Sequence, residues 1–206
     1  MGMKSTRVAT VLIAAVVALL APTDAAGQLL SVTAQAGFFV PIGDYDDATA
    51  EADELIRERE GTFAFGGSIN LNLPLSPFGV RFSADYVTGS TLSQGGVTGG
   101  SKNSGDANTL YLAGDAVLTP LPRLLFLEPF VLVGAGYRNT SFDVEAPPSD
   151  LSEGDLVGHL GIGLDVAMGG VGIVAEVADF LARGGDGGPT LEHDLFVTAG
   201  VRIPVF

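Results

Sequence analysis

The sequence lacks cysteine altogether, has few charged residues and holds only one long apolar run. Because there is no Cys, disulfide bonds, lipid attachment through a cysteine and thiol chemistry are excluded. Charged residues make up 17% of the 206 residues, against about 25% in an average globular protein. Outside residues 8–21, no run approaches the roughly 20 consecutive apolar residues that each membrane-spanning helix needs. A polytopic helical membrane protein is therefore excluded.

Basic residues are scarce as well, since 10 Lys and Arg stand against 24 Asp and Glu and the net charge is −14. A protein that binds nucleic acid needs clustered Lys and Arg to neutralise phosphates. We therefore expect no nucleic-acid partner. The acidic residues instead indicate a negatively charged, solubilising surface.

The N-terminus has the pattern of a secretory signal peptide. Lys4 and Arg7 flank the start of the apolar run 8–21, and small residues follow at 25–27. A basic segment, an apolar core of about a dozen residues and a small-residue cleavage site are the parts of such a signal. We expect a signal-peptide helix over residues 1–27 and one exported domain over residues 28–206.

From residue 29 onward the apolar residues recur at every second position, which is the signature of β-strands. In the first segment, for example, Val32, Ala34 and Phe38 alternate with Thr33 and Gln35. The alternating segments lie at 30–40, 63–73, 78–86, 109–118, 131–138, 156–166, 171–178 and 195–205. With 8 to 11 residues, the segments are close to the roughly 9–11 residues that a tilted strand needs to cross a bilayer.

The connections between the segments alternate in length. Short turns are predicted at 74–77, 119–123 and 168–170, and long polar loops at 44–61, 89–107, 142–154 and 183–194. This asymmetry is typical of outer-membrane barrels, with the short turns and the N-terminus on the periplasmic side. Many of the acidic residues fall in the first and third loops, at the outer rim.

The first loop carries two further patterns. The composition of residues 48–60 favours a short helix. Asp44, Asp46 and Asp47 form an acidic cluster, but the Gly and Glu that complete an EF-hand loop are missing at the required spacing. We interpret this loop as a solvated acidic cap and predict no metal site.

The two faces of the segments decide which side meets lipid. One face is Leu, Val, Ile and Phe, whereas the other is Gly, Ser, Ala and Asn with a few charges and no lysine. Small and polar residues fit the lumen of a narrow barrel, and large apolar residues fit lipid. The sequence predicts an all-β protein with an eight-stranded antiparallel up-and-down transmembrane β-barrel. The alternative is a secreted soluble lipocalin-like barrel that binds an apolar ligand.

Two stretches carry a family resemblance. Residues 128–137, Glu-Pro-Phe-Val-Leu-Val-Gly-Ala-Gly-Tyr, and the closing residues 200–206, which end on Phe206, resemble strands of the OmpA/OmpX-like class of small outer-membrane barrels. The resemblance implies a location in the outer membrane of a Gram-negative-type bacterium, contact with outer-membrane lipid, a monomer and recognition by the barrel-assembly machinery. It implies that Phe206 belongs to the assembly signal, although Phe206 is out of phase with the outward row and Pro204 removes one ladder donor. We expect no peptidoglycan-binding domain after the barrel.

The inward face of the predicted strands carries titratable side chains. Their burial in a narrow lumen is costly unless they pair with one another. The predicted lumen network consists of Arg81, Asp85, Asp115, Arg138, His159, Asp165, Glu176 and Arg202. We expect Glu176 and Arg202, on neighbouring strands, to form an ion pair. The network is interpreted as a structural polar core, with a gate or selectivity lining as the alternative.

The histidines do not indicate an enzyme. His159 has no Ser two residues on, and His193 falls in the predicted fourth loop between Glu192 and Asp194. Hydrolysis by an activated serine needs Ser, His and an acid in one constellation. The sequence therefore predicts a non-enzymatic protein without cofactor, in a structural or surface-interaction role. A narrow porin-like channel for small solutes is the alternative, and the sequence does not name a loop ligand.

Overall fold

The described part of the chain is built of strands. The computed structural model describes residues 30–42, 45–46, 55–73, 76–96, 103–120, 127–143, 150–168, 170–183 and 191–205. In these residues no helix is long and apolar enough to span a membrane. The predicted signal peptide and Phe206 lie outside the described residues.

The described residues form ten strands in chain order, and eight of them form the barrel wall. The short strands β2 and β3 lie outside the wall. The strands are β1 (Leu30–Ile42), β2 (Tyr45–Asp46), β3 (Leu55–Arg59), β4 (Thr62–Asn72), β5 (Phe78–Gly96), β6 (Asn103–Leu118), β7 (Leu127–Asp143), β8 (Asp150–Met168), β9 (Val171–Arg183) and β10 (Leu191–Pro204).

The wall closes on itself. Its strands pair antiparallel in the order β1, β4, β5, β6, β7, β8, β9 and β10. The first and last strands then pair along their whole length, from Ser31 opposite Pro204 to Ile42 opposite His193. Closure leaves no open sheet edge in the wall, which is the condition for strands in hydrocarbon. The predicted eight-stranded up-and-down barrel is confirmed.

The first predicted loop contains strand structure where a helix was expected. Residues 55–59 form β3, which pairs with Leu92–Gly96 of β5 and with β2 on its other side. The helix prediction is therefore wrong for residues 55–59. The reason is that the edge of β5 offers backbone hydrogen bonds that outweigh a weak local helix preference.

The wall strands also run further into the predicted loops than the hydrophobic alternation indicates. β5 continues to Gly96, β6 starts at Asn103, β8 starts at Asp150 and β10 starts at Leu191. The long connections are therefore shorter than predicted, and His193 lies in β10 and not in a loop. The alternation of apolar and polar residues is visible only where one face of a strand is apolar and the other is polar. Strand pairing continues beyond the point where the two faces differ, so the alternation underestimates the length of the strands.

A bulge marks where β5 leaves the regular ladder. The pairing of β5 with β6 shifts register between Val87 and Ser90. Gly89 there has a φ of 57°, which glycine adopts at little cost, and its amide donates to Asn108 Oδ1 at 3.1 Å. Such bulges bend a strand and increase its twist. We call this end of the barrel the loop end, and the end with the turns after β4, β6 and β8 the short-turn end.

Candidate functional site: the filled barrel interior

The structure places all eight predicted lumen residues on the inward face of the wall. Seven of them are buried and Arg202 is half-buried. They do not form one continuous network but separate groups at different depths. Their role stays a prediction, and the groups succeed one another from the short-turn end to the loop end.

The first group is centred on Arg81 of β5. Its guanidinium forms an ion pair with Glu176 of β9, and its Nε donates to Asn70 Oδ1 at 2.7 Å. The guanidinium carbon lies 4.9 Å from the centre of the Phe130 ring, a cation–π geometry. β5 and β9 are four strands apart in the closed order, so this ion pair spans the diameter of the barrel.

The predicted ion pair between Glu176 and Arg202 is wrong. Arg202 Nε instead lies 2.6 Å from Asp165 Oδ2. The register pairs Thr198 with Glu176 and Gly172 with Arg202. The two predicted partners are therefore four residues apart along the ladder, or about 13 Å at the rise of a strand. Glu176 and Arg202 were expected at the same depth in the lumen because their strands are neighbours, but the register places them at different depths.

Near the middle of the lumen, His159 joins a polar and an aromatic neighbour. Its Nδ1 lies 2.8 Å from Asp115 Oδ1. Its ring stacks on Phe180, with centroids 4.0 Å apart and planes at 11°. Asp85, which forms no hydrogen bond to this group among the contacts described, accepts one of 2.8 Å from Gln35 Nε2.

An aromatic cluster fills the lumen above His159. We define the aromatic plug as Phe39, Tyr111, Phe180 and Phe196. Neighbouring rings of the plug have centroids 4.8 to 6.3 Å apart, the spacing of favourable aromatic pairs. All four side chains are at most 3% exposed, and buried Ala64, Val87, Val157 and Ala182 surround them. The plug and its apolar neighbours thus pack together at this level of the lumen.

A second polar group covers the plug at the loop end. Arg138 of β7 bonds Asp155, Glu192 and Asp194, each at 2.9 Å. Asp194 has no exposed surface and also accepts a 2.7 Å hydrogen bond from Tyr111 Oη. One guanidinium can serve three carboxylates because it has five donors in a fixed geometry.

Sequence reasoning missed several members of these groups. Inward-facing residues recur at every second position of a strand. Extending this series by one inward position reaches Phe39 after Gly37, Phe180 after Ala178 and Phe196 before Thr198. The same step along β10 reaches Asp194 and Glu192. The signal was therefore present in the alternation. The predicted segments 171–178 and 195–205 stopped short of Phe180 and Asp194, whereas Phe39 and Phe196 lie inside predicted segments and were not recognised as inward-facing.

At the short-turn end the lumen opens into a small cavity. Its volume is about 40 Å³, and Arg81, Glu128, Asp165 and Arg202 are among the residues that line it. This is room for a very small number of water molecules. Within the described residues no three His, Asp or Glu side chains form a group suited to a metal ion.

The outer face of the wall is apolar. Large hydrophobic side chains on it are extensively exposed, as in Phe38 at 65% and Ile162 at 62%. Further members of this exposed set include Phe63, Phe82, Val133, Leu160, Ile173, Val197 and Val201. The barrel is thus polar and aromatic inside and apolar outside, the reverse of a soluble barrel.

Solved structures of other proteins are similar to this chain. The neisserial surface protein A, NspA, has a TM-score of 0.53 and 14% identity over 88% of this chain and 99% of its own. The N-terminal barrel of Pseudomonas aeruginosa OprF has a TM-score of 0.48 and 14% identity over 86% of this chain and 100% of its own. The Yersinia pestis protein Ail has a TM-score of 0.43 and 15% identity over 84% and 98%.

No protein-family model and no curated protein sequence matches this chain. The protein nevertheless has the fold of the small eight-stranded outer-membrane β-barrels. The predicted resemblance is therefore confirmed at the level of the fold. At 14% identity, the likeness to NspA establishes the fold and leaves the activity to be argued from the site.

Proposed function

We propose that this protein is a non-enzymatic outer-membrane barrel that anchors its loop end at the cell surface in a structural or surface-interaction role. The apolar outer face of a closed barrel is the observation that carries this proposal. Water would meet side chains such as Phe38 and Ile162 at a cost of about 25 cal/mol for each Å² of apolar surface. Lipid removes this cost.

The interior supports a structural role. Arg81, Arg138 and Arg202 are each engaged by carboxylates of other strands. The charge of each of these guanidiniums is thereby compensated, and the polar groups tie the wall together across the lumen. An enzyme would need a polar group directed at a substrate, whereas these groups are directed at one another.

The loop end supports the surface-interaction part of the proposal. β5 and β6 continue beyond the bulge at Gly89, and β7 and β8 pair out to Asp143 opposite Asp150. Rigid paired strands therefore project from the barrel on the side opposite the short turns. Connecting segments on a rigid scaffold are where binding residues concentrate.

Charge substitutions at different depths of the outer face test the membrane anchor. Ile162→Arg places a charge in the apolar band, and Leu191→Arg places it at the loop end. On the lipid face an Arg costs about 2–4 kcal/mol at midplane and about 0–1 kcal/mol near the interface. We expect Ile162→Arg alone to reduce the amount of protein in the outer-membrane fraction and its heat-modifiable mobility on denaturing gels. Recovery of the wild type as soluble protein without detergent would refute the proposal and favour the lipocalin-like alternative.

A narrow channel is the second candidate. The cavity beside Arg202 and Asp165 favours it, because a polar vestibule already exists at the short-turn end. The aromatic plug opposes it, because four packed rings occupy the path to the loop end. Stable conductance steps of the wild-type barrel in a planar bilayer, reduced in size by Arg202→Ala, would support the channel.

A further inference from the structure

The outward face of β9 and β10 carries two basic side chains at the loop end. Arg183 is the last residue of β9, and His193 lies near the start of β10. The register pairs Leu181 with His193 and Arg183 with Leu191. The inward residues of these strands are Ala182 and Asp194, so Arg183 and His193 point outward as diagonal neighbours. Long side chains in diagonal positions of adjacent strands can reach each other.

This pair is distinctive in its charge. The other arginines whose side chains the structure describes, Arg81, Arg138 and Arg202, lie in the interior and bond carboxylates. His159 is also buried in the lumen. Among the described side chains, the basic groups outside the lumen are thus Arg183 and His193. The two lie next to each other on a protein whose net charge is −14.

The His193 ring is held in position from one side. Its Nδ1 lies 2.8 Å from Asp179 Oδ2, and its side chain is 41% exposed. In the part of the chain that the structure describes, Nε2 has no hydrogen-bond partner, and it is therefore the ring nitrogen that can reach an external ligand. A carboxylate on the other ring nitrogen orients a histidine in this way.

The pair lies where the apolar outer face ends. Below it on the same two strands, Val177 and Val197 are exposed apolar side chains. Leu191 is 56% exposed beside Arg183, and Leu156 of β8 is 85% exposed. Leu156 precedes by two residues Gly158, the register partner of Leu181, so it borders the pair on the other side. Two bases between exposed leucines fit the level at which lipid headgroups meet acyl chains.

We propose that Arg183 and His193 bind the phosphate group of an anionic lipid in the outer leaflet, with its acyl chains against Leu156 and Leu191. The guanidinium offers a planar pair of donors that matches two phosphate oxygens. Nε2 of His193 faces the same place and donates to a phosphate oxygen when that nitrogen carries a proton. This inference rests on the proposed location in the outer membrane and adds to it a ligand class, a lipid phosphate monoester.

Native mass spectrometry of the full barrel in detergent micelles tests the site. The probes are lipid A and dioleoyl phosphatidic acid, which share the phosphate monoester, and dioleoyl phosphatidylcholine, which has none. The wild type is expected to retain one phosphate-monoester lipid in preference to phosphatidylcholine. Loss of the charge-assisted bonds in Arg183→Gln is expected to lower that retention about tenfold, and His193→Gln is expected to lower it less. Retention of phosphatidic acid alone would assign a glycerophospholipid, whereas retention of both would allow lipid A.

Arg202→Gln is the matched control, because it removes the same charge from the interior. Its lipid retention is expected to equal that of the wild type, and heat-modifiable mobility verifies that each variant is folded. Equal loss in Arg202→Gln and Arg183→Gln, or equal retention of all three lipids by the wild type, would overturn the inference. Absence of the protein from the outer-membrane fraction would instead overturn the proposed function, and it is observed before any lipid is added.

Discussion

Tyr111 of β6 and Asp194 of β10 lie on opposite sides of the barrel, and a hydrogen bond of 2.7 Å from Tyr111 Oη to Asp194 Oδ2 joins them across the lumen. The ion pair between Arg81 and Glu176 spans the diameter in the same way, nearer the short-turn end. An eight-stranded barrel is thus braced at two depths by contacts between strands that are never neighbours in the sheet. Such contacts resist flattening of the wall, which the sheet ladder alone does not.

The first prediction concerns the brace at the loop end. Tyr111→Phe keeps the ring in the aromatic plug but removes the hydroxyl from a carboxylate that has no exposed surface. A hydrogen bond to a charged group contributes about 1.5–3 kcal/mol to stability, and Arg138 remains bonded to Asp194 in the variant. We expect the free energy of unfolding to fall by that amount. Circular dichroism of the barrel in lipid vesicles, recorded as urea unfolds it, measures this change.

Tyr137→Phe is the control for this substitution. Tyr137 is on the outward face of β7 and is 42% exposed, so its hydroxyl serves no buried carboxylate of the lumen. Surface changes of this kind stay within about 0.5 kcal/mol. An equal loss of stability in the two variants would show that the bond across the lumen contributes nothing of its own.

The second prediction concerns the choice of ion-pair partners. In a double-mutant cycle, Arg81→Gln and Glu176→Gln are expected to couple by about 0.5–3 kcal/mol, because the two side chains are in direct contact. The cycle of Arg202→Gln with Glu176→Gln is expected to be additive to within about 0.5 kcal/mol, since Arg202 pairs with Asp165. Urea unfolding of the three single variants, the two double variants and the wild type measures both couplings. Strong coupling of Glu176 with Arg202 would contradict the register described above.

The sequence predicted the wall well but not the contacts inside it. Alternation identifies which residues face inward because lipid and lumen impose opposite demands on successive positions of one strand. The partner of Glu176 depends instead on how eight strands are staggered when the barrel closes. Because of that stagger, Arg81 on the opposite side of the barrel contacts Glu176, whereas Arg202 on the neighbouring strand lies too far from Glu176 to pair with it. No local pattern encodes this relation.

The ends of the strands were missed for a related reason. Beyond Asp85 on β5 or Thr198 on β10, the inward face becomes apolar and aromatic, as Val87 and Phe196 show. The contrast between the two faces then weakens, and the period-two signal fades although the strand continues. Pairing of β3 with β5 depends in addition on an edge that exists only in the folded barrel.

The third prediction tests a glycine on the inward face. A Cβ at Gly163 would overlap the Phe130 ring, which lies across β8 at this point and faces the guanidinium of Arg81. Gly163→Ala is expected to destabilise the barrel by about 1–3 kcal/mol through overpacking. Gly170→Ala, where a Cβ meets nothing within 4 Å, is the matched control and is expected to stay within about 0.5 kcal/mol. Both are measured by urea unfolding in vesicles, and equal stability of the two variants would contradict the packing of Phe130.

The last prediction concerns closure of the lumen by the aromatic plug. Removing two of its rings in Phe180→Ala/Phe196→Ala empties the path between Arg138 and His159, and water then enters a space lined partly by polar groups. We expect the wild type to show no stable conductance in a planar bilayer and the double variant to show discrete open steps. Each truncation costs about 3–5 kcal/mol, so heat-modifiable mobility must verify folding before recording. Phe130→Ala removes a ring below the plug and is expected to remain silent, because the four plug rings still occupy the lumen. Steps of equal size in the wild type and the double variant would show that the plug does not close the barrel.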